Sequence, residues 1–295
     1  YGLEPIRIAL ISAHSFNSVF RIDAADGRSV LRIGAADRIH PHGGEDVEAM
    51  WLDSLADRGF GNARTLAMVD GSRWAVMEHP DVVGARVVTR FSWVDGIELR
   101  TCFDEASAIA AGEMLAQLHR HGADTMATTS VPAELHARST VFFGNRNMVA
   151  EYRTEHGTLF LDAIDRVQRY IDTLWATGET PHLLHGDFGP HNILCHDGRL
   201  RPIDFQDLRY GFAAQDLGIS VSDMSRTTPE LVAPFLHGYS TVQDLPDLSP
   251  HAWGTLAAAR SLNIMNLALL SPGSGIGAAL DHHAGRIAAW MTDDD

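Results

Sequence analysis

The stretch from Leu183 to Asp204 gathers oxygen-bearing side chains at Asp187, Asn192 and Asp204 between apolar flanks. Leu183-Leu184 reads as a short strand and the residues after it as a polar loop. Asn192 to Cys195 and Leu200 to Ile203 read as hairpin arms around Asp197-Gly198, a pair that tolerates the positive φ of a tight turn. Such a hairpin brings the three residues to one end of a small sheet. Two carboxylates and an amide placed there suit Mg²⁺ on a triphosphate. That ion takes hard oxygen ligands and keeps phosphate oxygens and waters for the remainder.

The spacing narrows the chemistry. His185, Asp187 and Asn192 satisfy H-x-D-x-x-x-x-N, the catalytic-loop pattern of kinases, and Asp204-Phe205-Gln206 stands where D-F-G would stand. The plain alternative is a polar loop beside an Asp-Gly hairpin. The motif alone is only suggestive; the hairpin and the strand-terminal Ile203-Asp204 after it make it an active-site pattern.

Other elements have to deliver the partners of this loop. Residues 6 to 33 alternate in β fashion, with a hairpin signal at Asp26-Gly27. The preceding loop, Ser12 to Asn17, would lie over phosphates although it contains no glycine. Arg32 alternates with Leu31 and Ile33 and stands where a kinase's third strand presents its phosphate-pairing cation. A helical pattern runs from Glu45 to Arg58 with Val47, Trp51 and Leu55 on one face and Gly59 after its end. Glu48 lies beside that face and is expected to turn inward and pair with Arg32. His40 and His42 flank a loop with Gly43-Gly44, but a metal site there lacks a helix or Cys partner to fix it. Residues 63–69 and 73–78 suggest another hairpin around Asp70-Gly71. The strand Val87 to Phe91 then leads to Ser92-Trp93-Val94-Asp95-Gly96, where strands give way to helices. A lobe boundary is expected there, with residues 1–95 as one lobe and 96–295 as the other.

Downstream, Ala108, Ala111, Leu115 and Leu118 repeat at helical spacing from Asp104-Glu105 until Gly122. His119 and His121 would then sit in the last turn, where the helix dipole favours imidazolium. Residues 124–147 read as loop. Phe160, Ile164, Val167 and Ile171 mark a second helix, closed by Gly178 and Pro181. Further helices are expected from Gln215-Asp216-Leu217-Gly218, over Leu231–Leu236, over Ala252–Leu270 and over Leu280–Met291. A flexible loop, Ser271 to Gly277, separates the last two, and an acidic tail follows. Arg260, Asn263 and Asn266 recur within an apolar stretch, either lining an acceptor pocket or forming an exposed stripe.

The 295 residues, 45% apolar and 21% charged, are those of a soluble globular chain with ample core. No apolar run approaches a membrane span and no signal peptide opens the sequence, so a cytoplasmic location is expected. The sequence starts at Tyr1 rather than Met, so residues preceding it are expected. Cys102 and Cys195 lack metal-ligand spacing and read as reduced thiols. A net charge of −15 argues against nucleic acid and anionic membrane as partners and favours cationic ligands. All 23 basic residues are Arg, so a phosphate contact that kinases assign to Lys falls here to Arg.

With these pieces placed, the chain resembles the aminoglycoside phosphotransferase and choline kinase–like family over nearly its whole length. His185-Gly186-Asp187 with Asn192, then Ile203-Asp204, then Asp216-Leu217 carry the resemblance most specifically. It implies an α+β, two-lobed protein-kinase-like fold, with an antiparallel-sheet N-lobe bearing one long helix and a mostly helical C-lobe. It implies ATP as phosphoryl donor, with GTP as the alternative, and Mg²⁺ held by Asn192 and Asp204. Asp187 would be the catalytic base; Arg32 would contact phosphates, oriented by Glu48. The main chain of Ser92 and Val94 would meet the nucleobase, and Asn17 belongs to the loop over the nucleotide. His185 and Asp216 would brace the catalytic loop.

Gly186 stands where protein kinases carry an Arg, and eleven residues separate Asp204 from Asp216, leaving little room for an activation loop. A small hydroxylated acceptor is therefore expected. An aminoglycoside or other amine-bearing antibiotic fits the acidic balance, with Asp207 and Asp223 as amine-binding candidates and Arg260 and Asn263 as further acceptor-site residues. A homoserine- or choline-like metabolite kinase, a stress-type protein kinase and a nucleotide-binding pseudokinase are the rival readings.

Overall fold

The computed structural model describes residues 2, 4–13, 16–126, 129–140, 146–152, 158–270 and 276–292. His14 and Ser15 of the expected phosphate loop, residues 271–275 of the glycine-rich loop and the acidic tail at 293–295 lie outside the described residues. No described helix is long and apolar enough to cross a membrane.

The N-terminal part is one antiparallel sheet and one long helix. The strands are β1 (Pro5–Ala13), β2 (Asn17–Ala24), β3 (Gly27–Gly34), β4 (Trp74–His79) and β5 (Val82–Ser92), in the order β1-β2-β3-β5-β4. Helix α1 (Gly44–Asp57) starts after Gly43 at φ 83°, carries Glu45 and Asp46 in its first turn where the dipole favours anions, and stops at Gly59 with φ 85°. Its inner face buries Val47, Trp51, Leu52 and Leu55. One expected hairpin is absent. The main-chain groups of 63–69 go to the end of β5: Leu66 N–H donates to Arg90 O at 2.7 Å and Ser92 N–H to Arg64 O at 2.8 Å. Strand β4 therefore pairs with β5 across Pro80-Asp81, and Asp70-Gly71 closes only a small turn.

Past Ser92 the chain is mostly helical. Strand β6 (Ile97–Glu98) leads to α2 (Glu105–Met126), a short α3 (Met148–Glu151) and α4 (Leu159–Ala176). Three strands follow: β7 (His182–Leu184), β8 (Ile193–His196) and β9 (Arg199–Pro202). After β10 (Arg209–Gly211) come α5 (Ala213–Thr227), α6 (Val232–Ser240), α7 (Pro250–Leu270) and α8 (Ile276–Thr292). The β8–β9 turn has Asp197 at φ 52° and Gly198 at φ 72°, the backbone that an Asp-Gly pair suits. One core cluster runs from α1 through α2 to the catalytic segment, α5 and α6; a second joins α4, α7 and α8.

Helix α2 departs from the sequence expectation. It continues through Gly122 to Met126, because that glycine is a point of close approach: a Cβ there would stand 2.6 Å from Leu183 O. His119 and His121 are thus interior positions of α2, both buried, rather than caps. Burial lowers the pKa of His121, opposite to the effect expected of a helix-end dipole. Gly112 and Gly238 likewise let α2 and α6 touch, since a Cβ would lie 1.9 Å from Phe235 O or 2.0 Å from Ile109 O.

Two other buried histidines contribute to the acid response. Burial pulls His182 down to about 3 and His283 to about 4. The unfolded chain protonates both near 6.5, so between that pH and their native values the unfolded state binds more protons and stability falls with falling pH. Their contribution is complete above about pH 6.5 and is lost progressively toward pH 4. A melting temperature recorded against pH is expected to decline across this window, and His182→Phe to flatten the decline. A flat wild-type profile between pH 7 and 5 would refute it.

Candidate active site

The catalytic segment is held from beneath by one buried carboxylate. Asp216, in the first turn of α5, accepts from His185 N–H and Gly186 N–H, both at 2.9 Å, and faces His119 Nε2 at 3.1 Å. Burial opposes the charge, but these donors win and hold its carboxyl below the usual range. Tyr239 meets His119 Nδ1 at 2.8 Å and completes the chain. His185 takes its place through its other contacts: Asp187 N–H donates to Nδ1 at 3.4 Å, so the proton belongs on Nε2, which donates to Ile203 O at 3.0 Å. Gly186 has φ 82°, and a Cβ there would stand 1.9 Å from Asp207 O, so no side chain fits where protein kinases carry Arg.

On this base sit the three residues singled out by spacing. Asn192 Nδ2 donates to Asp187 O and to Asp187 Oδ2, each at 2.9 Å, leaving its Oδ1 for a cation. Asn192 O accepts from Ile203 N–H at 2.9 Å, which places Asp204 next to it across the hairpin. Asp204 adopts the left-handed region, φ 60° and ψ 64°, which Asp tolerates better than most residues. That twist sends Phe205 into the core, 5.3 Å from Trp51 and 4.5 Å from His185, and leaves the Asp204 side chain 49% exposed. Loss of hydration at the cleft floor raises its pKa; Arg32 opposes this, and the carboxylates of Asp207, Asp187 and Glu48 add to it. A hard cation would relieve that crowding, so the donor set fits Mg²⁺ with phosphate oxygens completing the shell. Among the described residues no group of three His, Cys, Asp or Glu could hold a metal alone, and His40 of the histidine-bearing loop is bound to Asp207 Oδ1 at 2.7 Å.

Across the cleft, Arg32 on β3 and Glu48 on α1 form a two-point ion pair, Nη1–Oε1 at 2.9 Å and Nη2–Oε2 at 2.6 Å. Both are buried, and the Arg32 guanidinium also lies 3.9 Å from Asp204 and over the Phe91 ring. Burial works against its charge, yet Glu48 raises its pKa, so it stays cationic. Two of its five N–H donors meet Glu48, leaving three outside that pair. Asn17 Nδ2 donates to Gln206 Oε1 at 2.6 Å, tying the start of β2 to the segment after Asp204. At the end of β5, the Ser92 N–H is committed to Arg64 O and its hydroxyl accepts from Arg64 N–H at 2.9 Å. Of the Ser92 main chain, only the carbonyl is left to meet a base. Val94 follows Trp93 in the loop between β5 and β6.

The acceptor side differs most from expectation. Asp187 Oδ1 accepts from Arg260 Nη2 at 2.6 Å, and the same nitrogen donates to Asp223 Oδ2 at 2.7 Å. Asp223 also accepts from Arg226 at 2.8 Å. Asp223 is therefore already paired and does not wait for an amine, while Asp207 is held by His40. Asn263 and Asn266 are buried rather than an exposed stripe: Asn263 donates to Thr140 O at 2.7 Å, and Asn266 Oδ1 accepts from Met148 N–H at 2.7 Å. Both amides tie α7 to the segments before and within α3, which explains polar residues at helical spacing in an apolar stretch. Arg260 and Asn263 line a cavity of about 30 Å³ with Gly186, Thr140 and Gln215.

His191 Nε2, 3.3 Å from Asp187 Oδ2, was not legible as a site residue, although its place between Asp187 and Asn192 is a signal in hindsight. His119 could have been found from its position on the apolar face of α2, one turn after Leu115.

The whole chain superposes on small-molecule kinases. A structure of amicoumacin kinase hAmiN with AMP-PNP, Ca²⁺ and Ami matches with TM-score 0.77 at 17% identity, covering 98% of this chain and 90% of that one. A microcompartment-associated aminopropanol kinase matches with TM-score 0.70 at 20% identity over 97% and 91%. Spectinomycin phosphotransferase APH(9)-Ia with ADP and spectinomycin matches with TM-score 0.58 at 13% identity over 100% and 91%. At such identities these likenesses establish the two-lobed kinase-like fold. None of the curated proteins matches the chain in sequence. A model of the phosphotransferase enzyme family, APH, matches residues 7–251, from β1 to the start of α7, and the chain belongs to that family.

Proposed function

We propose that this phosphotransferase moves the γ-phosphoryl group of ATP, bound with Mg²⁺, onto a hydroxyl group of a small molecule. The observation that carries the reading is the facing of two sets of groups. Asp187, Asn192 and Asp204 stand on the floor of the cleft, and the Arg32–Glu48 pair stands above, with Arg32 3.9 Å from Asp204. Arg32 would bind phosphate oxygens with its remaining donors, and Asn192 Oδ1 and Asp204 would hold the metal. Bound there, Mg²⁺ would neutralise charge on the phosphates. Asp187 would accept a hydrogen bond from the acceptor hydroxyl and aim it at phosphorus. As the acceptor oxygen bonds to the γ-phosphorus, the bond to the bridging oxygen breaks, ADP departs with that electron pair, and the hydroxyl proton passes to Asp187 and on to water.

The neighbours' acceptors, amicoumacin, aminopropanol and spectinomycin, support a small hydroxylated molecule rather than a protein. For the amine-bearing antibiotic suggested by overall charge, Asp207 and Asp223 would each have to give up an existing partner, His40 for the first and Arg260 for the second. An ATP-consumption screen over antibiotics, amino alcohols and hydroxy acids, with products identified by phosphorus NMR, tests the reading. Phosphate ester on an acceptor supports it; nucleotide binding with no ester on any acceptor defeats it. Arg32→Ala is expected to weaken MgATP binding by about tenfold or more, because a charge-assisted contact to phosphate is lost. Calorimetric titration that returns an unchanged affinity would remove Arg32 from the nucleotide site.

A further inference from the structure

The carboxylate that should receive the acceptor hydroxyl is already occupied on both oxygens. Arg260 Nη2 holds Oδ1 at 2.6 Å, while Asn192 at 2.9 Å and His191 at 3.3 Å hold Oδ2. The Asn192 contact belongs to the catalytic loop itself and His191 is a long contact, so Oδ1 is the oxygen a hydroxyl can claim, and Arg260 stands on it. Arg260 is mostly buried and anchored on its far side by Asp223, through Nη2 at 2.7 Å and Nε at 3.4 Å. Local charge points the same way. Asp187 and Asp223 are balanced by Arg260 and Arg226. Although the chain as a whole carries −15, this corner has no surplus negative charge with which to hold an ammonium group.

We propose that Arg260 is a substrate-binding residue, and that the preferred acceptor carries a carboxylate a few bonds from its hydroxyl. The inference rests on the phosphotransferase reading above. The acceptor's carboxylate takes the Arg260 guanidinium, which can meet it with paired N–H donors. Asp187 Oδ1 is thereby released for the hydroxyl. An acceptor bearing only an amine would have to break the Arg260–Asp187 contact without replacing it, leaving a buried guanidinium short of partners.

The experiment compares acceptors matched in carbon skeleton: glycerate with aminopropanediol, γ-hydroxybutyrate with aminobutanol, and gluconate with glucamine. The wild-type enzyme is expected to favour the acid in the productive pair by about tenfold or more in kcat/KM, the worth of a charge-assisted hydrogen bond. Arg260→Gln is expected to erase that preference, with KM for the acid rising more than kcat falls. Arg260→Lys, which keeps charge and packing, is expected to retain part of it, and melting curves verify that both variants fold. Preference for the amine in every productive pair overturns the inference. So does an equal fall in kcat for both members of a pair with KM unmoved, which is what a purely structural Arg260 would give. So does transfer to no acceptor of any pair while MgATP binds. Failure to bind MgATP at all would instead defeat the phosphotransferase reading.

Discussion

Asp187→Asn is expected to lower phosphoryl transfer by roughly three orders of magnitude while changing MgATP affinity by less than about threefold. The amide keeps the size of the side chain, and one oxygen can still accept from Asn192 or Arg260, so the loop geometry survives. It loses the ability to accept the hydroxyl proton and the charge that orients the acceptor. Arg260 and His191 hold the Asp187 carboxyl well below the usual carboxylate range, although burial pulls the other way. Before the acceptor arrives so stabilised an anion is a weak base, and its proposed contribution is to align the hydroxyl and to take the proton late, after the bond to phosphorus is well advanced. The same shift predicts that kcat/KM, which reports the free enzyme, shows no titration of Asp187 at ordinary carboxylate pH values. Steady-state rates with saturating MgATP, together with calorimetric nucleotide binding, decide the matter. Turnover within tenfold of wild type would remove Asp187 from the chemistry, and a collapse of nucleotide affinity would mean that the substitution had damaged the cleft instead.

What the sequence made legible is what short range determines. The loop from His185 to Asn192 and the hairpin at Asp197-Gly198 follow from local spacing and turn chemistry, and the structure folds them as that chemistry requires. The Arg32–Glu48 pair could be anticipated only from the kinase-like placement of Arg32 on the third strand. Its alternation with Leu31 and Ile33 by itself reads as a solvent-facing residue, and Glu48 lies beside the apolar face of its helix. Contacts between distant segments were not legible. His119 and Asp216 are 97 positions apart, and Arg260 and Asp187 are 73 apart. Nothing local distinguishes Asp223 as the anchor of a guanidinium from Asp223 as a receptor for an amine; only the placement of α5 against α7 does. The helix-ending role expected of Gly122 failed for a related reason. Glycine ends a helix when the backbone must turn left-handed, but inside a helix it can serve a neighbour that passes too close for a methyl group, as Leu183 does here.

The second large effect is expected in stability as well as rate. Asp216→Ala should cost about 3–5 kcal/mol of folding free energy, because the lost carboxylate is the partner of three buried donors at once. His185 N–H, Gly186 N–H and His119 Nε2 would each be left in a region with no exposure to water, and His119 would keep only its contact with Tyr239. Asp216→Asn should cost less, since its oxygen can still satisfy one main-chain donor, but its NH₂ then faces another donor. The damage reaches the chemistry because the two N–H groups belong to the residues just before Asp187. With Gly186 in a left-handed conformation and packed on Asp207 O, the bonds that remain, from His185 to Ile203 O and from Asn192 to Asp187 O, do not replace the two main-chain contacts to Asp216. Loss of the clamp therefore lets Asp187 and Asn192 drift relative to Asp204, and kcat should fall at temperatures where the variant is still folded. Urea unfolding monitored by circular dichroism gives the stability term, and rates measured well below the melting temperature give the second. A variant that unfolds within about 0.5 kcal/mol of wild type would show that the Asp216 clamp is not what supports the loop.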